Sequence, residues 1–365
     1  MKKLSQIFIL FLAIALVLTA CGGGSETSTP SDSSPTNDSS SSPSDSSTSS
    51  DPSSNTSSDD DKSSVRIGIA QLLEHPSLDA TREGFLDALK DNGYVEGENL
   101  EVDYNNAQND PPTNLTIAQK MASEPFDLVL AIATPTAQAI AQHVTDKPVL
   151  FAAVTDPLDA RLVDSLEKPG GNITGGADLN PEATVKLMEF IVEEFPQIRT
   201  LGVVINEGEP NSVVTINKVE EMLSEYEIEV IRAAVSNTSE VKQAAESLVG
   251  RVDGIFIALD NTVVGGVDAI IQVAEEHQIP FFASDRDTVE RGAIATYGFK
   301  YYDHGYQVGE MAVEILKGAD PAEMQVTFPD KLDLIINVEA ARRQGVEITD
   351  SMKAKVQDKE NILNE

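Results

Sequence analysis

Apolar residues alternate between two spacings from Val65 onward, and this alternation predicts strands followed by helices. A β-branched run at 65–70 precedes apolar positions at helical spacing over 78–89, and Asn92-Gly93 is typical of a helix C terminus. Further along, the same pattern predicts strands at 100–104, 128–132 and 148–151, and helices at 115–121 and from Pro135.

A second series of the same kind follows. The pattern predicts strands at 201–205, 228–231, 254–258 and 280–283, with helices from Ser212, from Ser239 and up to His277. Strands that alternate with helices are typical of parallel sheets covered on both faces. The sequence therefore predicts an α/β fold with two similar Rossmann-like lobes.

Polar side chains follow nearly every predicted strand. In open parallel sheets, ligands bind beyond the carboxyl ends of the strands, often at helix N termini. Each such residue taken alone is also a good helix cap, and Phe151 is equally suited to a core. Taken together, the strand ends predict a polar ligand site between the lobes, drawn from Gln71, Glu74, His75, Thr134, Pro135, Phe151, Thr155, Asp156, Asn206, Glu209, Asn211, Ser212, Asp260, Asn261, Ser284 and Asp285.

The N-terminal pattern differs from the rest of the chain. Lys2 and Lys3 precede an apolar run at 7–18, which is shorter than the roughly 20 residues needed to span a bilayer and is typical of an export signal at 1–20. Leu18-Thr19-Ala20-Cys21 resembles the bacterial lipobox, in which the cysteine is lipid-modified before cleavage. Cys21 is the only cysteine, so the sequence predicts a lipid anchor there and excludes internal disulfides and cysteine-based zinc sites.

Residues 22–64 are almost entirely Ser, Asp, Thr, Pro and Gly. Such a segment cannot bury enough apolar surface to fold, so we predict a disordered tether over 21–64 with a mean reach of about 35–40 Å. The predicted location is therefore the extracytoplasmic face of the cell membrane, with the folded body held there by the lipid.

Charge narrows the classes of partner. The chain of 365 residues has a formal charge of −34, and the part from Val65 onward has 52 acidic against 23 basic residues. This surface repels nucleic acid and anionic headgroups, so a nucleic-acid partner is excluded. Solubility is the simplest interpretation of the charge.

Motifs for catalysis and metal binding are missing from the sequence. There is no Gly-x-Ser-x-Gly, His-Glu-x-x-His or Walker sequence, and the four histidines are scattered along the chain. We therefore predict no catalytic residues, no metal site and no cofactor.

Several motifs occur in an order that resembles one family. They lie at 74–79, 133–139, 151–157, 169–175, 206 with 209–212, and 260–261. The chain resembles, over about 65–346, the ABC-transporter substrate-binding proteins of type I periplasmic-binding fold, which include tryptophan- and other aromatic-amino-acid-binding lipoproteins.

The resemblance implies two lobes joined by three crossovers. Lobe one would comprise 65–154 and 293–320, lobe two would comprise 155–292 and 321–350, and a C-terminal tail would cover 351–365. The chain would first cross near Val154-Thr155. It would return near Gly292 to add a strand at 294–299 and a helix at 302–316 to lobe one. It would then cross back to place 334–337 and a helix around Ala340 in lobe two.

The resemblance also implies a ligand and partners. We expect a monomer that closes on a small zwitterion, an apolar or aromatic α-amino acid, and presents it to an ABC permease. Thr134 and its turn, with Thr155 and Ser284, would bind the carboxylate, while Asp156, Glu209 or Asp260 would receive the ammonium. The alternatives are a sensory receptor of the same fold and a binding protein for a nucleoside or sugar.

Overall fold

The first lobe is built on a five-stranded parallel sheet. In this computed structural model, which describes residues 64–178, 181–329 and 332–365, the strand order is β2-β1-β3-β4-β5. The predicted signal peptide, Cys21 and the predicted tether as far as residue 63 lie outside the described residues. The strands are β1 (Val65–Gln71), β2 (Leu100–Asn106), β3 (Leu128–Ile132), β4 (Val149–Val154) and β5 (Ile173–Ala177). Its covering helices are α1 (Pro76–Asp91), α2 (Pro111–Ser123) and α3 (Thr134–His143).

The second lobe contains a four-stranded parallel sheet and a three-stranded sheet beside it. The parallel sheet has the order β7-β6-β8-β9, from β6 (Thr200–Ile205), β7 (Glu229–Ala234), β8 (Gly254–Ile257) and β9 (Phe281–Ala283). The smaller sheet has the order β10-β11-β12, from β10 (Ala295–Gly298), β11 (Asp333–Asn337) and β12 (Ile362–Leu363). The remaining helices are α4 (Pro181–Glu194), α5 (Pro210–Ser224), α6 (Val241–Leu248), α7 (Asn261–Gly265), α8 (Val267–His277), α9 (Arg286–Arg291), α10 (Tyr301–Leu316), α11 (Val338–Arg343) and α12 (Asp350–Lys355).

Burial explains why these segments form strands. All side chains of β3, β4 and β8 are buried, as expected for parallel strands covered on both faces. The predicted α/β architecture with two parallel sheets is confirmed. Among the described helices, none is both long and apolar enough to cross a bilayer.

The first crossover lies later than predicted. Strand β5 pairs in parallel with β4, so the first sheet continues to Ala177 and the predicted crossover near 154–155 is wrong. The strand was missed because its sequence, Ile-Thr-Gly-Gly-Ala, lacks a clear apolar pattern. Gly175 is needed there, since a Cβ at this position would lie 2.0 Å from the Phe151 carbonyl oxygen.

The return to the first lobe is also later than predicted. Strand β10 pairs antiparallel with β11, and the Ile294 N–H donates to the Phe281 carbonyl at 2.7 Å. Residues 293–298 therefore belong with the second lobe, and the predicted return near Gly292 is wrong. Helix α10 packs on α1 and so belongs to the first lobe, as the prediction for 302–316 has it, and the chain returns between Gly298 and Tyr301.

Residues 321–329 stay with the first lobe, which corrects the prediction that lobe two resumes at 321. Thr327 forms a parallel bridge with Gly176, and Val326 is buried in the core of the first lobe. The described chain thus belongs to the first lobe up to 329 and to the second lobe from β11 onward. Three changes of lobe remain, as the resemblance implied.

The C-terminal segment is part of the second lobe rather than a tail. Strand β12 pairs in parallel with β11, and Met352 and Val356 are buried in the same core as Phe256. The pattern concealed this contribution because two short elements supply only a few apolar side chains.

Helices α1 and α10 approach each other unusually closely. A Cβ at Gly305 would lie 2.0 Å from the Thr81 carbonyl oxygen, and one at Gly84 would lie 2.1 Å from the Tyr302 carbonyl oxygen. Glycine at both positions lets the backbones touch. This contact fixes the position of α1, whose N terminus faces the second lobe.

Candidate ligand-binding site

A cavity that is partly open to solvent lies where the two lobes meet. It covers about 310 Å³, including space open to solvent, and is lined by the start of α1, the end of β4, the residue after β5, the α5 and α7 region, the N-cap of α9 and the start of α10. The carboxyl ends of parallel strands and the starts of helices thus converge on it, which is the arrangement expected for ligand binding in such sheets. The lining residues are His75, Ser77, Leu78, Ala153, Thr155, Asp178, Asn211, Leu259, Asn261, Val264, Asp285 and Tyr301.

A second chamber adjoins the first and is more aromatic. The two share Asp178 and Leu259, and the second has an empty volume of about 280 Å³. Its other lining residues are Ala183, Thr184, Leu187, Ser284, Thr296, Tyr297 and Phe299. Together the chambers place the buried acids beside the aromatic side chains of Tyr297 and Phe299.

Two buried carboxylates dominate the electrostatics of the cavity. Tyr301 donates its hydroxyl to Asp178 Oδ2 at 3.1 Å. Asp285 Oδ1 accepts from the Thr288 N–H at 2.8 Å and from the Ser77 hydroxyl at 3.4 Å. The other oxygens, Asp178 Oδ1 and Asp285 Oδ2, are buried and find no hydrogen-bond partner in the described part of the chain.

Burial shifts both acids towards the neutral form. It raises the pKa of Asp178 to about 6 and also raises the pKa of Asp285. Of the described residues that line the first cavity, none is a lysine or an arginine. The cavity is therefore suited to a ligand that brings its own positive charge.

The N terminus of α1 offers the complementary group. His75 is the N-cap residue, but its side chain makes no capping hydrogen bond, and Pro76 follows. Ser77 and Leu78 carry the first N–H groups of the helix and both line the cavity. Such N–H groups and the helix dipole favour an anion.

His75 itself is held neutral. Burial lowers its pKa to about 4. Its Nε2 lies 3.4 Å from Asn261 Oδ1 in the other lobe, and within the described residues its buried Nδ1 has no partner. The ring can therefore serve a ligand as a neutral donor or acceptor.

Backbone strain shapes the wall at Ala153. This residue has φ 53° and sits where the pairing of β4 with β5 shifts register. Its N–H donates to His304 Nε2 at 3.1 Å. A left-handed alanine is costly, and such strain is concentrated at functional sites.

The structure brings six of the predicted site residues together. His75, Thr155, Asn211, Asn261 and Asp285 line the first cavity, and Ser284 lines the second. The prediction that strand ends from both lobes pool their polar groups agrees with this geometry.

The other predicted residues of the first lobe do not line either chamber. Gln71 holds the turn before α1 by donating to Leu73 O and Asp79, and Glu74 is exposed and accepts from the Tyr104 hydroxyl. Phe151 is fully buried in the core. The remaining three are Thr134, which accepts from the Thr155 N–H, Pro135, whose carbonyl accepts from Asn114, and Asp156, which accepts from the N–H groups of residues 158 and 159.

Four predicted residues of the second lobe support α7 instead of lining the chambers. Asp260 is saturated by the Asn206 N–H at 2.7 Å and the Val263 N–H at 3.0 Å. Glu209 accepts four hydrogen bonds from Asn261 and Thr262. Ser212 is buried on α5 beside this network. The predicted ammonium role of Asp156, Glu209 or Asp260 stays a prediction that the geometry does not favour, because these carboxylates line neither chamber and already accept hydrogen bonds at turns and helix starts.

Three residues of the first cavity with polar side chains were missed by the sequence prediction. Asp178 follows the unrecognised strand β5, Tyr301 begins α10, and Ser77 is the second residue of α1. The glycine pair before Asp178 was the available signal, because glycines within a strand often mark close backbone approach near a site.

Comparison with known proteins gives one family. The family described as ABC transporter substrate binding protein matches residues 66–359. A tyrosine-binding protein from Clostridioides difficile (strain R20291) is 42% identical over 279 residues, which are 76% of this chain and 80% of that protein.

Two solved structures show how the lobes of similar proteins are arranged. An ABC domain from Streptococcus pneumonia in complex with L-Trp is 32% identical, with a TM-score of 0.76 over 81% of this chain and 99% of that one. The ligand-free, open structure of a substrate binding protein with adhesive properties from Clostridium difficile is 40% identical, with a TM-score of 0.60 over 82% of this chain and 98% of that one. The chain is therefore closer in shape to the complex with ligand than to the open form, although its sequence is closer to the latter.

Proposed function

We propose that this chain, which belongs to the family of ABC transporter substrate-binding proteins, binds an aromatic α-amino acid between its lobes. Proteins of this family are extracytoplasmic binding proteins rather than enzymes. The chain has their type I periplasmic-binding fold and serves an ABC transporter.

The proposed ligand class is supported most directly by two carboxylate oxygens of the cavity that have no hydrogen-bond partner among the described residues. An ammonium group placed between Asp178 and Asp285 would supply hydrogen-bond donors to Asp178 Oδ1 and Asp285 Oδ2, which are buried and find no partner among the described residues. Charge-assisted hydrogen bonds of this kind are about twice as strong as neutral ones. A neutral sugar or nucleoside would bring no positive charge, and Asp178 would remain without a counter-charge.

The start of α1 and the second chamber fit the carboxylate and the ring of an aromatic amino acid. The uncapped start of α1 at Ser77 and Leu78 suits the carboxylate. Leu187, Tyr297 and Phe299 in the adjoining chamber suit a ring. The tyrosine-binding relative and the complex with L-Trp support the same ligand class.

A thermal-shift panel of amino acids, nucleosides and sugars tests the proposal. A ligand at a hundredfold excess over its Kd stabilises the folded state by about 2.7 kcal/mol. We expect shifts with L-tryptophan, L-tyrosine or L-phenylalanine and none with the corresponding D-enantiomers. A shift with a nucleoside or sugar alone would contradict the proposed ligand class.

The proposal includes a lipid anchor at Cys21 and a monomeric binding protein that docks on a membrane permease. The support for the anchor is the sequence Leu18-Thr19-Ala20-Cys21 after a short apolar run. Cells supplied with labelled palmitate should incorporate it into the wild-type protein and not into the Cys21→Ser variant. Equal labelling of both would contradict the anchor.

A further inference from the structure

We propose that Glu209 is a positioning residue that builds a clasp between the lobes, and that the Asn109–Thr262 contact of this clasp slows ligand release from outside the ligand cavity. The clasp consists of Glu209, Asn261 and Thr262 in the second lobe, with His75 and Asn109 in the first. The inference concerns closure of the lobes and does not depend on which ligand is bound.

Glu209 organises the second-lobe half of the clasp. Its Oε2 accepts from the Asn261 N–H at 3.0 Å and from Asn261 Nδ2 at 2.7 Å. Its Oε1 accepts from the Thr262 N–H at 2.8 Å and from the Thr262 hydroxyl at 2.6 Å. Glu209 is only 3% exposed, so one buried carboxylate fixes both the backbone and the side chains of two consecutive residues.

Each of those two residues reaches the other lobe. Asn261 Oδ1 lies 3.4 Å from His75 Nε2, and the Thr262 hydroxyl accepts from Asn109 Nδ2 at 2.8 Å. Because Asn261 Nδ2 is held by Glu209, its Oδ1 is turned towards the first lobe. The Glu209 carboxylate therefore orients both residues of the second lobe that contact the first lobe, Asn261 and Thr262.

Thr262 is the centre of the clasp. Its hydroxyl donates to Glu209 and accepts from both Asn109 Nδ2 and Asn206 Nδ2, each at 2.8 Å. One donor and two acceptor positions are all that a hydroxyl offers. Of the three hydrogen bonds of the Thr262 hydroxyl, opening of the lobes would break only the one from Asn109. The hydroxyl oxygen, which is fully buried in the closed arrangement, would then need a water molecule as its donor.

Asn109 is suited to its half of the contact. It lies in the left-handed region at φ 58°, which asparagine tolerates better than most residues, and its N–H donates to Leu72 O at 2.8 Å. Neither cavity is lined by Asn109. Its side chain can therefore affect closure without contacting the ligand.

The test compares Asn109→Ala with the matched control Gln108→Ala. Gln108 is the exposed neighbour and is also left-handed, at φ 53°, so Gln108→Ala controls for an alanine placed at a left-handed position of the same loop. For L-tryptophan and L-tyrosine, we expect Asn109→Ala to raise the dissociation rate about threefold to tenfold and by the same factor for both, since a hydrogen bond of ordinary net strength is lost. Gln108→Ala should leave both rates unchanged.

Distances between two spin labels, measured on the full chain by double electron–electron resonance, test closure of the lobes directly. Spin labels would be attached through Lys90→Cys in the first lobe and Lys242→Cys in the second, with Cys21→Ser in every sample. Without ligand, we expect a closed population in the otherwise unchanged protein that falls in Asn109→Ala and in Glu209→Gln, and does not fall in Gln108→Ala.

Either measurement can overturn the clasp. A closed population that is absent, or that is the same in Asn109→Ala and Gln108→Ala, would do so, and so would a change in the relative affinities of the two amino acids in Asn109→Ala. If neither amino acid binds the otherwise unchanged protein, the proposed ligand fails alone, because the distances still test the clasp.

Discussion

Asp178 and Asp285 show, at the scale of single residues, how burial prepares a site for a charged ligand. Both acids have raised pKa values because they are buried, and lysine and arginine are missing from the described lining of the cavity. Ionised carboxylates in such surroundings destabilise the ligand-free protein. A ligand ammonium would offset this desolvation cost, so part of the binding free energy comes from the relief of unfavourable electrostatics in the ligand-free site.

Asp178→Asn tests that interpretation. The amide oxygen can still accept from Tyr301, but the charge is lost, so we expect the Kd of the aromatic amino acid to rise at least about tenfold. The ligand-free variant should be as stable as the wild type or more so, because an ionised buried group has been removed. Titration calorimetry and thermal unfolding provide the two readouts.

Asp156→Asn is the matched control for that substitution. Asp156 lies just beyond β4, but its carboxylate accepts from two backbone N–H groups outside the cavity. Its Kd should remain that of the wild type. An unchanged Kd in Asp178→Asn would remove Asp178 from the site.

The pH dependence of binding follows from the same acid. Burial raises the pKa of Asp178 from its ordinary value to about 6, so the ligand-free protein loses stability as the pH rises from about 4 to about 6. An ammonium favours the ionised form, so affinity should be full above about pH 7, fall about twofold at pH 6 and weaken about tenfold at pH 5. His75, with a pKa lowered to about 4, stays neutral in this range. Affinity that is flat from pH 5 to 7.5, measured by calorimetry, would contradict the role of Asp178.

The sequence could predict where polar groups gather but not which of them remain free. Asp260 and Asp285 look alike, since each follows a buried strand and caps the next helix. In the folded chain, both oxygens of Asp260 are used by backbone N–H groups, whereas Asp285 Oδ2 is left over in the described structure. That difference depends on neighbours distant in sequence, which no local pattern contains.

Among the secondary-structure elements, strands with long apolar runs were predictable. Short strands, and strands whose pairing partner lies far along the chain, were not. Strand β3 was predicted with the bounds that the structure gives. Strand β5 is rich in glycine, and β10 pairs with β11, which comes 35 residues later in the chain. The crossovers were therefore misplaced although the order of most elements was right.

Met352→Ala tests the assignment of the C-terminal segment to the second lobe. Met352 is only 4% exposed and packs in the core of that lobe, so we expect a loss of about 2–5 kcal/mol in the free energy of unfolding. The ligand Kd should not change, because no residue of α12 lines either chamber. Denaturant unfolding measures the first quantity and calorimetry the second.

Ser351→Ala, at the exposed neighbour on the same helix, is the control and should unfold like the wild type. If Met352→Ala also unfolds like the wild type, the segment does not contribute to the core.

At the scale of the whole molecule, the two lobes enclose the site and contact each other directly. Hydrogen bonds such as Asn109–Thr262 join them, and the greater likeness to the complex with L-Trp than to the ligand-free open structure fits that arrangement. Closure of two lobes around a ligand is a general way of reporting occupancy to a partner. For a substrate-binding protein, that partner is the ABC transporter.

Titration calorimetry with L-tryptophan and with indole-3-propionic acid tests most directly whether Asp178 and Asp285 bind the ligand ammonium. The second compound keeps the ring and the carboxylate and lacks only the ammonium. If the ammonium lies between Asp178 and Asp285, L-tryptophan should bind and the Kd of indole-3-propionic acid should be at least about a hundredfold higher, since two charge-assisted hydrogen bonds are lost and a carboxylate is left without a counter-charge. Equal affinity for the two compounds would contradict the account.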